Sequence, residues 1–169
     1  MVNEHTVVRF NIPVDDGFDS FRDRYEANVP NFDLASFSGM IARRAPWDEV
    51  VRQTAGVAPH GFLSYWKADV GPVMSLAGVE GKCTTYLMGN HVIALRMFRV
   101  DPAAMLYAPL RTLIYRAKTG ETRFAVDQPS TSFGSLGSDD IAQVGREIDE
   151  KLAELLEALG IVPPQQLSH

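Results

Sequence analysis

One cysteine, Cys83, is all that the 169 residues contain. No disulfide can therefore form within the chain, and a zinc site built on thiolates is excluded. Cationic runs are missing as well. The formal net charge is −5, with Lys and Arg scattered, whereas a nucleic-acid binder needs a basic face to neutralise phosphates. No apolar run approaches the length of a membrane span. Asn3, Glu4 and His5 interrupt the N-terminus, where an export signal requires a continuous apolar stretch. These absences lead us to expect a cytoplasmic protein with neither nucleic acid nor membrane as partner. The four histidines, at 5, 60, 91 and 169, lack the spacing of metal ligands. No glycine-rich phosphate loop opens a strand-to-helix turn, and Ser135 lacks the Gly-x-Ser-x-Gly context of a nucleophile elbow. Neither a metal nor a bound cofactor is expected.

What is present is ordinary for a globular domain: 46% hydrophobic and 22% charged residues, enough to bury a core without covalent staples. Residues 1–162 read as a single α+β domain, followed by a frayed tail at 163–169. Val7, Val8, Phe10 and Ile12 suggest a first strand closed by Pro13. Asp15 or Asp16 can cap a helix whose apolar positions are Phe18, Phe21, Tyr25 and Val29. Residues 31–44 show no period and read as a connection. A second helix is expected from Pro46 to about Ala55, with Trp47, Val50, Val51 and Thr54 inward and Gly56 as its terminator. Strands follow at Phe62–Lys67 and Cys83–Met88, with a helical turn around Val73–Ala77 between them. A helix over Val92–Arg99 is broken by Asp101-Pro102.

The strongest local signal is a hairpin of Leu110–Arg116 with Thr122–Asp127, turning at Lys118-Thr119-Gly120. After a loop rich in Pro, Ser and Gly, Ser138 caps a long helix carrying Ile141, Val144, Ile148, Leu152, Leu155 and Leu159 on one stripe.

The succession from Cys83 to Leu159 carries a resemblance. It runs from a strand through Gly89-Asn90-His91 to a helix and Asp101-Pro102. The approach Leu106-Tyr107-Ala108-Pro109, the hairpin and a closing helix follow. This resembles the domain-of-unknown-function 302 family, whose members place Asn-Pro after one strand and Leu-Pro ahead of the next. Asn90 and Pro109 match those positions, and His91 stands where the family has proline. The resemblance implies a two-layer sandwich, mainly an antiparallel sheet with helices on one face, and often a homodimer. It leaves 30–57 as extra material and implies no reaction.

Candidate chemistry gathers at strand ends. His91, at a strand-to-helix junction, can act as an acid or base near neutral pH or simply occupy a cap position. Pairing about Thr119 brings Arg111 near Asp127 and Pro109 near Pro129, so Tyr107, Arg111, Asp127 and Ser130 should share one end of the sheet. Arg111 and Asp127 form either a plain ion pair or a clamp for a carboxylate. His60 and Trp66, in an aromatic stretch, either pack in the core or line an apolar pocket; Met97 is either core filling or pocket wall.

Two functions remain open. One is a cofactor-independent enzyme performing isomerisation, cyclisation or elimination on a small apolar anionic substrate. His91 would be acid or base, Asn90 an orienting donor, Arg111 the anion holder and Asp127 its support. The other is a non-catalytic dimeric module that binds a hydrophobic metabolite, a protein partner or haem, the haem through His60 or His91 with Met97 nearby. The first requires His91 and Arg111 to face a common hollow.

Overall fold

The computed structural model describes residues 2–168. Five strands form one sheet: β1 (Arg9–Val14), β2 (Leu63–Asp69), β3 (Cys83–Gly89), β4 (Leu110–Arg116) and β5 (Thr122–Asp127). Their spatial order is β1-β5-β4-β3-β2, and every neighbouring pair is antiparallel. The helices are α1 (Phe18–Asn28), α2 (Leu34–Ala42), α3 (Trp47–Val57), α4 (Gly71–Ser75), α5 (His91–Phe98), α6 (Pro129–Gly134) and α7 (Asp139–Ala158). Short 3-10 turns occupy Pro102–Leu106 and Gln165–Leu167.

Period-two alternation decides which sheet face is covered. Thr84, Tyr86 and Met88 of β3, Leu110, Thr112 and Ile114 of β4, and Thr122, Phe124 and Val126 of β5 are all buried. The apolar ones among them pack with Phe21 and Tyr25 of α1 and with Ile141, Ile148, Leu152 and Leu155 of α7 in one core. Fully burying each such aliphatic or aromatic side chain contributes about 1.5–3 kcal/mol. The intervening positions, Thr85, Leu87, Arg111, Leu113 and Asp127, belong to the opposite, open face. The chain is thus an α+β two-layer sandwich with its helices on one face of an antiparallel sheet.

Pro13 does not close the first strand but lies within it, which is tolerated because β1 is an edge. The hairpin pairs as its turn dictates, Thr112 with Val126 through Arg116 with Thr122. Gly120 adopts φ +94° in the turn, a conformation that a side chain would strain. Ser138 caps α7 by accepting the Ile141 amide at 3.4 Å. Gly145 on that helix lets α6 approach closely: a Cβ there would sit 3.1 Å from both Ser130 Cα and Phe133 Cβ.

Several local expectations are corrected. The stretch expected as a connection contains α2, whose start is capped by Asp33 accepting the Ser36 amide at 3.0 Å. Its Ser, Gly and exposed Leu34 and Ile41 hide the helical period. Gly17, not Asp15 or Asp16, is the N-cap of α1; Asp16 instead accepts from Gly17 N–H and the Ser20 hydroxyl. Gly56 lies inside α3, which runs on to Val57, and of the expected inner face Thr54 is buried while Trp47 and Val51 are exposed.

The Pro-Ser loop after β5 winds into α6. Val162 is exposed, but in the tail expected to fray Leu167 is fully buried and the Gln166 carbonyl accepts from Gln128. Among the described residues no helix is long and apolar enough to cross a membrane.

Candidate functional site

The end of β3 organises the covered side. Gly89 completes the strand with Tyr65 and Pro109 against it, each 3.4 Å from where a Cβ would lie. Asn90 then caps α5. Its side-chain oxygen accepts the amides of Val92 at 2.8 Å and Ile93 at 3.3 Å, and its NH2 donates to the Gly61 carbonyl at 2.8 Å. The Asn90 carboxamide therefore fixes the helix start and ties it to the approach to β2, a structural task that any N-cap Asn can perform.

The cap places His91 at the first position of α5 with its imidazole inside a ring of aromatics. Phe32, Phe37 and Tyr65 lie 5.0, 5.3 and 5.0 Å away, centroid to centroid. Edge-to-face packing of this kind suits the ring quadrupoles. Among the described residues no hydrogen bond or ion pair reaches the imidazole. Burial disfavours its charged form and lowers its pKa, so it is neutral at pH 7. Burial likewise pushes the Tyr65 phenol up to about 12, a shift that the nearby His91 backbone amide opposes. The Tyr65 hydroxyl makes no hydrogen bond of normal geometry.

These two groups border an apolar cavity of about 220 Å³ between the sheet end, α5 and α7, walled by Met88, Met97, Phe133 and Ile148. A second chamber of about 610 Å³ lies outside it, between α2, α3 and α5, with Phe37, Met40, Trp47 and Phe98 in its walls. His91, Ala94 and Met105 line both and form the partition between them.

The expected residues divide between the two sheet faces. His91, Asn90 and Met97 line the inner chamber. Arg111, Asp127 and Tyr107 line a hollow on the other side of Pro109 and Leu110, together with His5, Pro129 and Ser132. His91 and Arg111 thus lie at the same end of the sheet but on opposite faces and share no cavity. The reason is the alternation of β4: Leu110 points into the core, so Arg111 points out.

The hairpin register does bring Arg111 beside Asp127, but the carboxylate is held by Arg9 across the β1–β5 ladder, at 2.6 and 3.1 Å. Arg111 makes no ion pair among the described residues. Ser130 lies away from this hollow. It donates its amide to Asp149 at 2.9 Å, and its hydroxyl bonds the same carboxylate.

His60 Nε2 sits 2.8 Å from Asn28 Oδ1 at the end of α1, and lines neither chamber. Trp66 pairs with Leu87 on the open face beyond a bulge and is 51% exposed, so it too is away from the cavity. No group of three His, Cys, Asp or Glu side chains able to hold a metal exists among the described residues.

Sequence reasoning missed Phe32 and Phe37, and it reached Tyr65 and Met105 only as part of an aromatic strand and as an adaptable filler; it also missed Arg44, which lines the outer chamber. Tyr65 stood in a visible aromatic strand, and a bulge between Ser64 and Trp66 sets which neighbour turns outward. The two phenylalanines lie in and before α2, which showed no period.

A two-layer α+β sandwich with an apolar chamber at one end of its sheet is the class defined by this fold and site. The chain belongs to the domain-of-unknown-function 302 family, whose model matches residues 41–159. The match reaches well ahead of Cys83, so α3 and β2 are family structure rather than additions. No curated protein matches the chain. Among solved structures it is similar to an uncharacterized conserved protein of this family from Bacillus stearothermophilus. The identity is 16%, the TM-score 0.63, and 89% of this chain and 97% of that one are covered. At that identity the likeness concerns the fold alone.

Proposed function

We propose that the protein binds a small, mainly apolar molecule carrying one hydrogen-bonding group, in the inner chamber beside His91. The single observation behind this is the pairing of two polar side chains that make no hydrogen bond of normal geometry among the described residues, the Tyr65 hydroxyl and the His91 imidazole, in a cavity lined, apart from the cap residue Asn90, by apolar groups. Pockets of this make-up, mostly apolar with a few convergent polar atoms, are where small molecules bind. A dry cavity of about 150 Å³ accepts a benzene ring, so about 220 Å³ suits a ring with a substituent or a short chain. The test is titration with p-cresol and toluene, following the His91 imidazole by NMR. Saturable shifts, stronger for p-cresol, support the reading, provided Ala94→Phe at the partition abolishes them while circular dichroism stays native. Absence of saturable shifts in the wild type, or shifts unchanged in Ala94→Phe, would overturn it.

A second reading, acid–base chemistry on the bound molecule, is favoured by His91 being neutral with no partner on its ring nitrogens. Such an imidazole can take a proton from carbon next to a carbonyl while Tyr65 donates to the oxygen that gains the electron pair. Asn90 is committed to its cap, and Arg111 and Asp127 lie on the other face, so this version uses His91 and Tyr65 alone. In heavy water it expects deuterium exchange at the carbons beside the carbonyl of cyclohexanone, lost in His91→Ala. Exchange equal to that in buffer without protein removes it.

A further inference from the structure

Resting on the proposed binding function, we infer that the natural occupant is an elongated amphiphile. Its inner end would lie beside Tyr65 and His91, its apolar body would cross the partition, and its carboxylate or phosphate would meet Arg44. The inner chamber, about 220 Å³, falls below the roughly 300–1,000 Å³ typical of ligand sites, whereas the outer one, about 610 Å³, lies within that range. His91, Ala94 and Met105 line both chambers. Alanine blocks little, and methionine, unbranched with three rotatable bonds, moves aside at low cost.

The outer chamber is unlike an ordinary surface. Leu34, Ile41, Trp47 and Phe98 line it while being 69%, 77%, 43% and 50% exposed. Scattered apolar residues need no explanation, but a contiguous patch of them marks a binding surface. Within this lining the one permanently charged side chain is Arg44. Its backbone is left-handed, at φ 53°, where glycine is the default. A paired helix stop holds it there: Arg44 N–H donates to the Ile41 carbonyl at 3.1 Å and Ala45 N–H to the Met40 carbonyl at 2.9 Å. The Arg44 backbone is therefore fixed at the rim of the chamber, which its side chain lines. Next to it, Arg43 is neutralised by Glu49, while Arg44 has no ion-pair partner among the described residues. An unpaired cation over an apolar chamber selects an apolar molecule with an anionic end.

The experiment compares 10-hydroxydecanoate with 1,10-decanediol by calorimetry, using the full chain. Wild type should bind the acid about tenfold more tightly than the diol, and Arg44→Ala should equalise the two. Arg44→Lys, which restores the charge, should recover most of the preference. Equal binding of acid and diol by the wild type, or a preference that survives Arg44→Ala, would overturn the inference. If p-cresol still binds in either of those cases, the inner-chamber function stands and only the amphiphile fails. If neither acid, diol nor p-cresol binds, both fail together.

Discussion

The rings of His91 and Tyr65 meet at 5.0 Å and an interplanar angle of 65°, and among the described residues neither side chain's polar atoms make a hydrogen bond of normal geometry. One residue comes from the start of α5 and the other from β2, so the pair exists only once the sheet has closed. Two unsatisfied polar groups among phenylalanines are costly to the fold, and that cost has to be offset by the surrounding packing. Stability alone gives no physical reason to keep them.

Tyr65→Phe should accordingly stabilise the protein, by about 1 kcal/mol, because it removes a buried hydroxyl that lacks a partner. The same change should weaken p-cresol binding several-fold. Urea unfolding and a titration read the two effects. Loss of stability on removing the hydroxyl would show that it is satisfied in the folded protein, and the argument for the site would lose its main support.

His91 makes stability depend on pH. Burial places its pKa below the value of about 6.5 kept by the unfolded chain. Once the pH falls below about 6.5 the unfolded chain binds more protons than the folded one. Stability therefore declines on acidification and levels off below the folded value. His91→Phe keeps a ring among Phe32, Phe37 and Tyr65 but cannot titrate. From pH 7.5 to 5.5 the wild type should lose more stability than this variant, as measured by urea midpoints at several pH values. Parallel losses in the two proteins would contradict the assignment.

Asp149 holds the other end of the helical layer. This fully buried carboxylate accepts from Gln128 Nε2 at 2.8 Å and from the Ser130 amide at 2.9 Å, joining α7 to α6. Gln128 in turn reaches the Gln166 carbonyl at 3.0 Å, which fixes the C-terminal turn. Asp149→Ala should cost about 2–4 kcal/mol, since it strands buried donors, and hydrogen exchange should rise first around residues 128–134 and 165–167. A cost within 0.5 kcal/mol, the size of an ordinary surface change, would mean that water or other donors and acceptors replace the bonds.

What could be read in advance followed the strength of local rules. The hairpin, with its glycine turn and alternating strands, and α7, with its capping Ser138 and long apolar stripe, were legible because each is specified by its own residues. So was the junction at Asn90 and His91. Two helices were not. Leu34–Ala42 exposes half of its large apolar side chains to form the outer chamber, and Pro129–Gly134 is a single short turn held by Asp149 from another helix. The site was half legible for a related reason. Sequence spacing places Arg111 near Asp127, but whether they face the same side of the sheet as His91 is set by the 91–109 crossing and by the inward direction of Leu110, neither of which has a local signature.

That division between faces is itself testable through Arg111. Its guanidinium is exposed and without an ion-pair partner, while Asp127 is occupied by Arg9. The Arg9–Asp127 pair is solvent-exposed and contributes at most about 1 kcal/mol. Arg111→Ala should therefore change stability by less than about 0.5 kcal/mol. It should also leave p-cresol and 10-hydroxydecanoate affinities at wild-type values, since Pro109 and Leu110 stand between it and the inner chamber. The contrast with Arg44→Ala is the informative part: of these two exposed arginines, only Arg44 should govern binding of the acid. If Arg111→Ala weakened the acid as much as Arg44→Ala, the anionic end would have to reach the open face. The wall formed by Pro109 and Leu110 would then have to be a passage.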